Sequence, residues 1–257
     1  MSAAAEKLHE LPETPREPDG AERARLAEFA EALGVVLRLF DRELDTATVR
    51  ALAEPELWAF LAGVLDDSAG REAVARLKDA VDALPETPDQ AVLDRLAADY
   101  ADIFLTHGHR AAPSASVWLT DDHTERGEPM FAARRWYAHW GVKVPDWRKR
   151  PDDHIVPMLQ FVSLLLETAS GAALVDAAVF LDTQMGPWVG NFLGRVAQRA
   201  DTALYRAAAE FAGVLLSRLR AELERITGVA ERIPEPPKRA ASEPEAVAYV
   251  PGAAPSW

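Results

Sequence analysis

Apolar residues recur at intervals of three and four through most of this chain, which predicts helices. The first helix is predicted from near Asp19 or Gly20 to about Arg42, and the last from Asp201 to about Thr227. The apolar face of the first helix consists of Leu26, Phe29, Ala30, Leu33, Val36, Leu37 and Phe40. No segment alternates apolar and polar residues over a useful length, so no strand is predicted. We therefore predict an all-α fold, a single helical-bundle-like domain of about ten helices.

Proline, glycine and aspartate mark the ends of the helices between these two. They are predicted at Thr46 to Ala53, Glu56 to Leu65, Arg71 to Leu84, from Pro88-Asp89 onward, at Pro129 to Trp140, near Ile155 onward, at Ala172 to Leu181, and from Pro187 onward. Asp152 or Asp153 is predicted to cap the helix that begins near Ile155. From Thr106 to Glu128 the helical pattern fails, and a loop of that length is typical of functional or disordered segments.

The two ends of the chain differ from the middle in composition. Residues 1–19 are acidic and rich in proline, and we predict that they form a disordered tail. Residues 20–229 are predicted to form the all-helical domain. Residues 230–257 contain six prolines and are predicted to be a flexible tail.

Composition and charge exclude several classes of function. The chain has 257 residues, of which 49% are hydrophobic, enough for a sizeable core, and it has no cysteine. Disulfides, thiolate catalysis and cysteine-ligated metals are thereby excluded. The formal net charge of −13 argues against binding nucleic acid and favours a basic peptide as partner. No segment is apolar enough for a membrane span, and the first twenty residues lack the features of a signal peptide, so we expect a cytoplasmic protein.

The cluster Asp152-Asp153-His154 has three interpretations from sequence alone. It can cap a helix, hold a metal ion together with loop histidines, or supply a catalytic His-Asp pair for Ser114 or Ser116. The other loop histidines are His107, His109, His123 and His139. The chain has neither Glu-x-x-His nor His-x-x-x-His helical ligand spacing in this region, and it has no Gly-x-Ser-x-Gly turn. These absences favour the structural interpretation of the cluster.

Two further groups of residues each have an ordinary and a functional interpretation. The tryptophans Trp118, Trp136, Trp140, Trp147 and Trp188 either pack in the core or line a groove for an apolar peptide. The acidic residues Asp121, Asp122, Glu125 and Glu128 either form a solvated surface or form a rim that binds arginine side chains.

An ordered set of short motifs resembles a known family. The motifs are Asp99-Tyr100 to Phe104, Ser116-Val117-Trp118-Leu119, Gly127, Gly141, Pro151-x-Asp153-His154, Phe180-Leu181, Pro187-Trp188, Phe192 and Leu204-Tyr205-Arg206. From about residue 25 to 227 the chain resembles the TorD/DmsD/NarJ-type chaperones of molybdenum-cofactor enzymes. The single motifs are weak, and their order along the chain makes the resemblance specific.

The resemblance implies a non-enzymatic chaperone without cofactor or metal. Its implied partner is the catalytic-subunit precursor of a molybdoenzyme, bound through its twin-arginine leader, its body or both until the cofactor is inserted and export can begin. The resemblance assigns leader recognition to Gly127, Pro151, Asp153 and His154, and it places Trp118 and Leu119 on the bordering loop. It leaves open a monomer or a helix-exchanged dimer. The rival hypothesis is a metal-dependent hydrolase that uses His154, Asp153 and the loop histidines.

Overall fold

The computed structural model describes residues 8–106 and 110–235, and within them the regular elements are helical. The α-helices are α1 (Gly20–Asp41), α2 (Thr46–Leu52), α3 (Pro55–Val64), α4 (Ser68–Asp82), α5 (Gln90–Phe104), α6 (Ala115–Leu119), α7 (Glu128–His139), α8 (Ile155–Thr168), α9 (Gly171–Phe180), α10 (Gly186–Arg199) and α11 (Ala203–Thr227). A π-helical turn, Leu181–Met185, joins α9 directly to α10. The prediction of an all-α domain of about ten helices is confirmed.

Aspartates begin many of these helices. Asp19 caps α1 in a reciprocal capping box with Glu22. Asp45, Asp67 and Asp89 each accept a hydrogen bond from the backbone N–H three residues later, at the starts of α2, α4 and α5. Because Asp67 caps it, α4 begins at Ser68, three residues before the predicted start.

The cap of α8 differs from the prediction. His154, and neither Asp152 nor Asp153, is the N-cap residue, and its Nδ1 accepts a hydrogen bond from the Val156 N–H at 3.1 Å. The preceding aspartates point to other partners, described below. The prediction was wrong because three adjacent residues were all suitable caps, and contacts with distant segments decided among them.

The core is built around α1, α8 and α11. Helix α1 packs along α8, and α11 packs against α1, α4, α9 and α10. An aromatic cluster fixes α7 to α8 and α9, since the Phe180 ring lies 4.9 Å from Phe161 and 5.7 Å from Trp136.

None of the helices in the described part of the chain is both long and apolar enough to cross a bilayer.

Residues 8–19, which composition places in a disordered tail, pack against the helices. The Arg16 guanidinium donates to Glu22 and to the Ile226 carbonyl. Glu17 accepts a hydrogen bond from the Gly171 N–H at 3.0 Å. A Cβ at Gly171 would lie 2.5 Å from the Arg16 carbonyl oxygen, so this close approach requires glycine. Residues 1–7 lie outside the described part of the chain.

A buried carboxylate on the π-helical turn holds both ends of the described chain. Asp182 accepts two hydrogen bonds from Arg220 and one from the Arg232 backbone N–H, and His9 Nε2 lies 2.8 Å from its Oδ2. The side chains of Asp182, Arg220 and His9 are buried. Residues 230–235, predicted as the start of the flexible tail, therefore approach the helical domain here. The rest of that tail, residues 236–257, lies outside the described residues.

Replacing Asp182 with Asn should lower the free energy of unfolding by about 3–5 kcal/mol, because it leaves the buried Arg220 guanidinium without its counter-charge. Urea unfolding measures the change. The matched control is Glu210→Gln, which removes a carboxylate from a surface ion pair with Arg76 and should cost less than about 1 kcal/mol. Equal losses in the two variants would contradict the role assigned to Asp182.

Candidate functional site

The Asp153 carboxylate connects three segments that are distant in sequence. Its Oδ2 accepts hydrogen bonds from the Ser116 N–H at 2.7 Å and from the Ser116 hydroxyl at 2.6 Å. The same hydroxyl oxygen accepts a hydrogen bond from the Gly127 N–H at 3.0 Å. Gly127 is the N-cap of α7, and Ser116 lies in α6. One carboxylate therefore positions α6 and, through a hydroxyl, the start of α7.

Backbone hydrogen bonds reinforce this connection. The Ala115 N–H donates to the Asp153 carbonyl at 3.0 Å, and the Ile155 N–H donates to the Pro113 carbonyl at 2.8 Å. These two bonds make an isolated antiparallel bridge between Ser114 and His154. Because backbone donors and acceptors must be paired when buried, the bridge holds the segment before α6 against the start of α8.

Asp153 is fully buried, and this determines its electrostatics. Burial raises the pKa of Asp153, while the two hydrogen bonds from Ser116 oppose the shift. Its second oxygen, Oδ1, has no hydrogen-bond partner among the described residues. A peptide on the surface does not reach this carboxylate, so the geometry gives Asp153 a positioning role.

The residues around Asp153 are similarly enclosed. Pro151 and His154 are buried, and the Pro151 carbonyl accepts the His154 N–H at 3.1 Å. Asp152 is held by Arg134 at 2.7 Å through its carboxylate and by the Tyr137 hydroxyl at 2.7 Å through its carbonyl. Burial and the nearby carboxylates raise the pKa of the Tyr137 hydroxyl well above its ordinary value. Tyr137 therefore acts as a neutral donor.

The surface of the site is formed by α6 and Gly127. Trp118, Leu119 and Gly127 are half-buried, so part of each faces solvent. The Trp118 indole N–H donates to the Ala112 carbonyl at 2.7 Å, and the Arg195 guanidinium lies 4.8 Å from the indole ring centroid. These contacts fix the orientation of the indole. A Cβ at Gly127 would lie 2.8 Å from a Thr120 methyl, which explains the small residue.

The structure thus brings the six residues singled out by sequence into one region, with different exposures. Pro151, Asp153 and His154 lie inside it, and Trp118, Leu119 and Gly127 lie at its surface. Their role in binding a peptide stays a prediction. Sequence reasoning considered Ser116 only as a nucleophile, and it missed Ser116 as the link between Asp153 and Gly127. The signal available was the motif Ser116-Val117-Trp118-Leu119, which does not reveal the partner 37 residues away.

The other tryptophans divide between core and surface. Trp136 and Trp188 are buried, as expected for core residues. Trp140 and Trp147 are half-buried, and the Trp140 indole N–H donates to Asp176 at 2.9 Å. If tryptophan lines a peptide groove at this site, the residue concerned is therefore mainly Trp118.

His123, His139 and Ser116 each lie next to a group other than a catalytic partner. His123 Nδ1 lies 2.8 Å from the Val117 carbonyl oxygen, and His139 lies 3.7 Å from Asp176. Ser116 donates to Asp153 and not to a histidine base. In residues 8–106 and 110–235, no group of three His, Asp or Glu side chains lies close enough to hold a metal ion. His107 and His109, which the metal hypothesis also used, lie outside the described residues.

The acidic loop beside the site is exposed. Asp121, Asp122 and Glu125 face solvent, whereas Glu128 pairs with Arg135 at 2.7 Å. Hydrogen bonds from the side chains of Thr120 and Thr124 lower the pKa of Asp122, so its negative charge persists to lower pH. The loop therefore presents fixed negative charge next to Trp118 and Gly127.

Comparison with known proteins points to one family. The sequence profile described as nitrate reductase delta subunit matches residues 65–194. The chain is 30% identical over 179 residues to the chaperone protein TorD of Vibrio vulnificus strain YJ016, covering 66% of this chain and 82% of that protein. It is also 30% identical over 183 residues to the chaperone protein TorD of Vibrio cholerae El Tor Inaba N16961, covering 68% of this chain and 82% of the relative.

Replacing Ser116 with Ala should lower the free energy of unfolding by at least about 1.5 kcal/mol, because a buried carboxylate loses a donor and the Gly127 N–H loses its acceptor. Ser163→Ala is the matched control, since the Ser163 hydroxyl donates only a long, exposed hydrogen bond to Glu167 on the same helix α8, and its loss should change stability by no more than about 0.5 kcal/mol. Urea unfolding measures both changes. If Ser116→Ala lowers the free energy of unfolding by no more than the control does, Ser116 does not link Asp153 to Gly127.

The raised pKa of Asp153 predicts a pH dependence with a definite sign. A carboxyl whose folded pKa lies above the unfolded value of 3.8 contributes stability below that value and loses it as pH rises through the folded pKa. The stability of the wild type relative to Asp153→Asn should therefore fall as pH rises from about 3 to about 8 in urea unfolding. Asp122 has a lowered pKa, so the same comparison with Asp122→Asn should slope the opposite way. Slopes of the same sign would contradict this assignment.

Proposed function

This chain belongs to the TorD/NarJ family, described by the nitrate reductase delta subunit profile. From this family membership we propose that it is a chaperone for the precursor of a molybdenum-cofactor oxidoreductase. In this proposal it works in the cytoplasm and binds the twin-arginine leader of the precursor, the body of the precursor, or both. Binding assists insertion of the cofactor and delays export until folding is complete. The chaperone itself carries out no chemical reaction.

The observation that supports leader binding most directly is the half-exposed surface of Trp118, Leu119 and Gly127. It is apolar, and it is formed by the short helix α6 and the N-cap of α7. Its backbone is fixed by the buried Ser116-Asp153 hydrogen bonds. A surface fixed in advance loses less conformational entropy on binding than a mobile one. It therefore suits the apolar part of a peptide.

Charge supports the same partner. The exposed carboxylates of Asp121, Asp122 and Glu125 adjoin this surface, and arginine side chains bind carboxylates through paired hydrogen bonds. A leader carries positive charge followed by an apolar stretch. The surface offers a contact for each of these two features.

The six site residues have two different roles in this proposal. Trp118, Leu119 and Gly127 contact the leader, and Pro151, Asp153 and His154 hold the contact surface in shape. Because Asp153 and His154 are buried, their substitution would act on affinity through the position of α6 and the start of α7.

The test of the proposal is a capture experiment in the native host with the tagged full-length chain, followed by identification of the bound proteins. A molybdoenzyme precursor that still carries its twin-arginine leader is the expected result. If a capture that recovers other known complexes repeatedly returns no such precursor, the proposed function is wrong. A stoichiometric, tightly bound transition metal in the purified protein would instead support the rival hydrolase.

Replacing Trp118 with Ala should weaken binding of the captured leader, tested as a synthetic peptide, at least tenfold, about 1.4 kcal/mol, because it removes the largest apolar side chain of the proposed contact surface. Isothermal titration calorimetry measures the affinity. Ile233→Ala is the control, since Ile233 is 49% exposed but packs against Gly186 and is not part of the proposed contact surface. Unchanged affinity in Trp118→Ala would exclude this surface as the leader site.

A further inference from the structure

The chain segments before and after α7 carry opposite charge. On one side, residues 121–125 expose the carboxylates of Asp121, Asp122 and Glu125 and include no lysine or arginine. On the other side, residues 142–150 connect α7 to α8 and carry four cations against the single carboxylate of Asp146. The cations are Lys143, Arg148, Lys149 and Arg150. This local excess of positive charge contrasts with the net charge of −13 of the whole chain.

These two segments form one continuous surface. The Arg126 guanidinium, at the end of the acidic loop, donates to the Arg148 carbonyl at 2.9 Å. The Trp147 ring centroid lies 5.1 Å from the Arg134 guanidinium carbon and 5.0 Å from that of Arg148. The connection is therefore held against α7 and next to the end of the acidic loop, so that one extended peptide can contact both segments.

An apolar groove lies at the basic end. It has a volume of about 620 Å³ and runs between the connection, the end of α1 and α8. This volume is within the range of ordinary ligand pockets. Its apolar walls are Val142, Val144 and Pro145 on the connection and Pro157, Phe161 and Leu164 on α8. Val142 is 37% exposed, which is unusual for a large apolar side chain in this protein.

The charged groups at the groove are not equally available. Asp41 is paired with Arg150 and Arg42, so its negative charge is offset locally. Lys149 is 87% exposed and lies 3.9 Å from Asp146, at the limit of an ion pair. Lys143 is exposed as well. The rim of the groove therefore repels a positively charged peptide segment and tolerates a neutral one.

We propose that the leader binds in one orientation, with its arginine pair at residues 121–125, the residues next to that pair against Trp118 and Leu119, and the rest of its apolar segment in the groove of Val142 to Leu164. This inference rests on the proposed function and adds the direction of the bound peptide and a second contact surface. The opposite orientation would bring the arginines beside Lys143 and Lys149 and leave the acidic loop without a partner. Juxtaposed like charges are a common means of excluding a wrong binding mode.

Photo-crosslinking to the full-length chain tests the orientation. The probe is a synthetic peptide with an arginine pair followed by an apolar stretch of about 12 residues. One version carries benzophenone beside the arginines and another carries it within the apolar stretch. We expect the first label to react with residues 119–128 and the second with residues 142–164, as mapped by mass spectrometry. A reversed-sequence peptide of identical composition should keep the two patterns, because charge and apolar contact, and not the chain direction, position each label.

A charge-reversal variant separates the role of the basic rim from that of the groove. In Lys143→Glu/Lys149→Glu, the fraction of crosslinks that report the opposite orientation should rise at least threefold, because the repulsion that excludes it is gone. Lys78→Glu on α4 is the matched control, since Lys78 is exposed but lies outside the groove, and it should leave the fraction unchanged.

The outcomes distinguish this inference from the proposed function. Tight binding with both labels distributed equally between the two regions, or with the first label in the groove, would overturn the orientation and leave the chaperone proposal intact. Absence of any binding by the captured leader and by the synthetic probe would overturn leader recognition and the orientation together.

Discussion

Burying a carboxylate costs free energy unless hydrogen-bond donors replace the lost water, and this constraint organises the loops of the protein. Asp99, Asp153 and Asp182 are buried, and each accepts hydrogen bonds from a segment far away in sequence. Asp99 receives the N–H groups of Asp201 and Thr202 at the start of α11. Asp153 holds α6, and Asp182 holds both ends of the described chain. Apolar faces pack the helices together, and these three carboxylates fix the segments between them.

The Asp153 network explains how a loop region can serve as a binding surface. A loop that connects helices usually varies in position, yet here Ser116 and Gly127 are joined to one buried carboxylate. The half-exposed face of Trp118 is held further by its bond to the Ala112 carbonyl and by Arg195. The surface is thus prepared before any ligand arrives, which lowers the entropy cost of binding. In the proposed function, the buried positioning residues and the half-exposed contact residues belong to the same set of motifs.

In the proposed binding mode, the charge distribution of this surface orients the peptide. The chain is strongly acidic overall, which favours basic partners in general, but net charge alone assigns no orientation. The separation of residues 121–125 from the cations of residues 142–150 provides that asymmetry. Because α7 lies between them and Arg126 bonds to Arg148, the two charged ends keep a fixed relation to each other.

The sequence by itself determined the all-helical class, the first helix from Asp19, and the region where the motif residues lie, because periodicity, capping and turn chemistry are local properties. Only the tertiary structure decided that His154 caps α8 while Asp153 bonds to Ser116, since neighbouring residues offered equivalent local signals and a distant segment selected between them. Residues 8–19 follow the same rule. Their composition predicted disorder, but Asp182 and Gly171 supply partners for His9 and Glu17 that composition does not reveal.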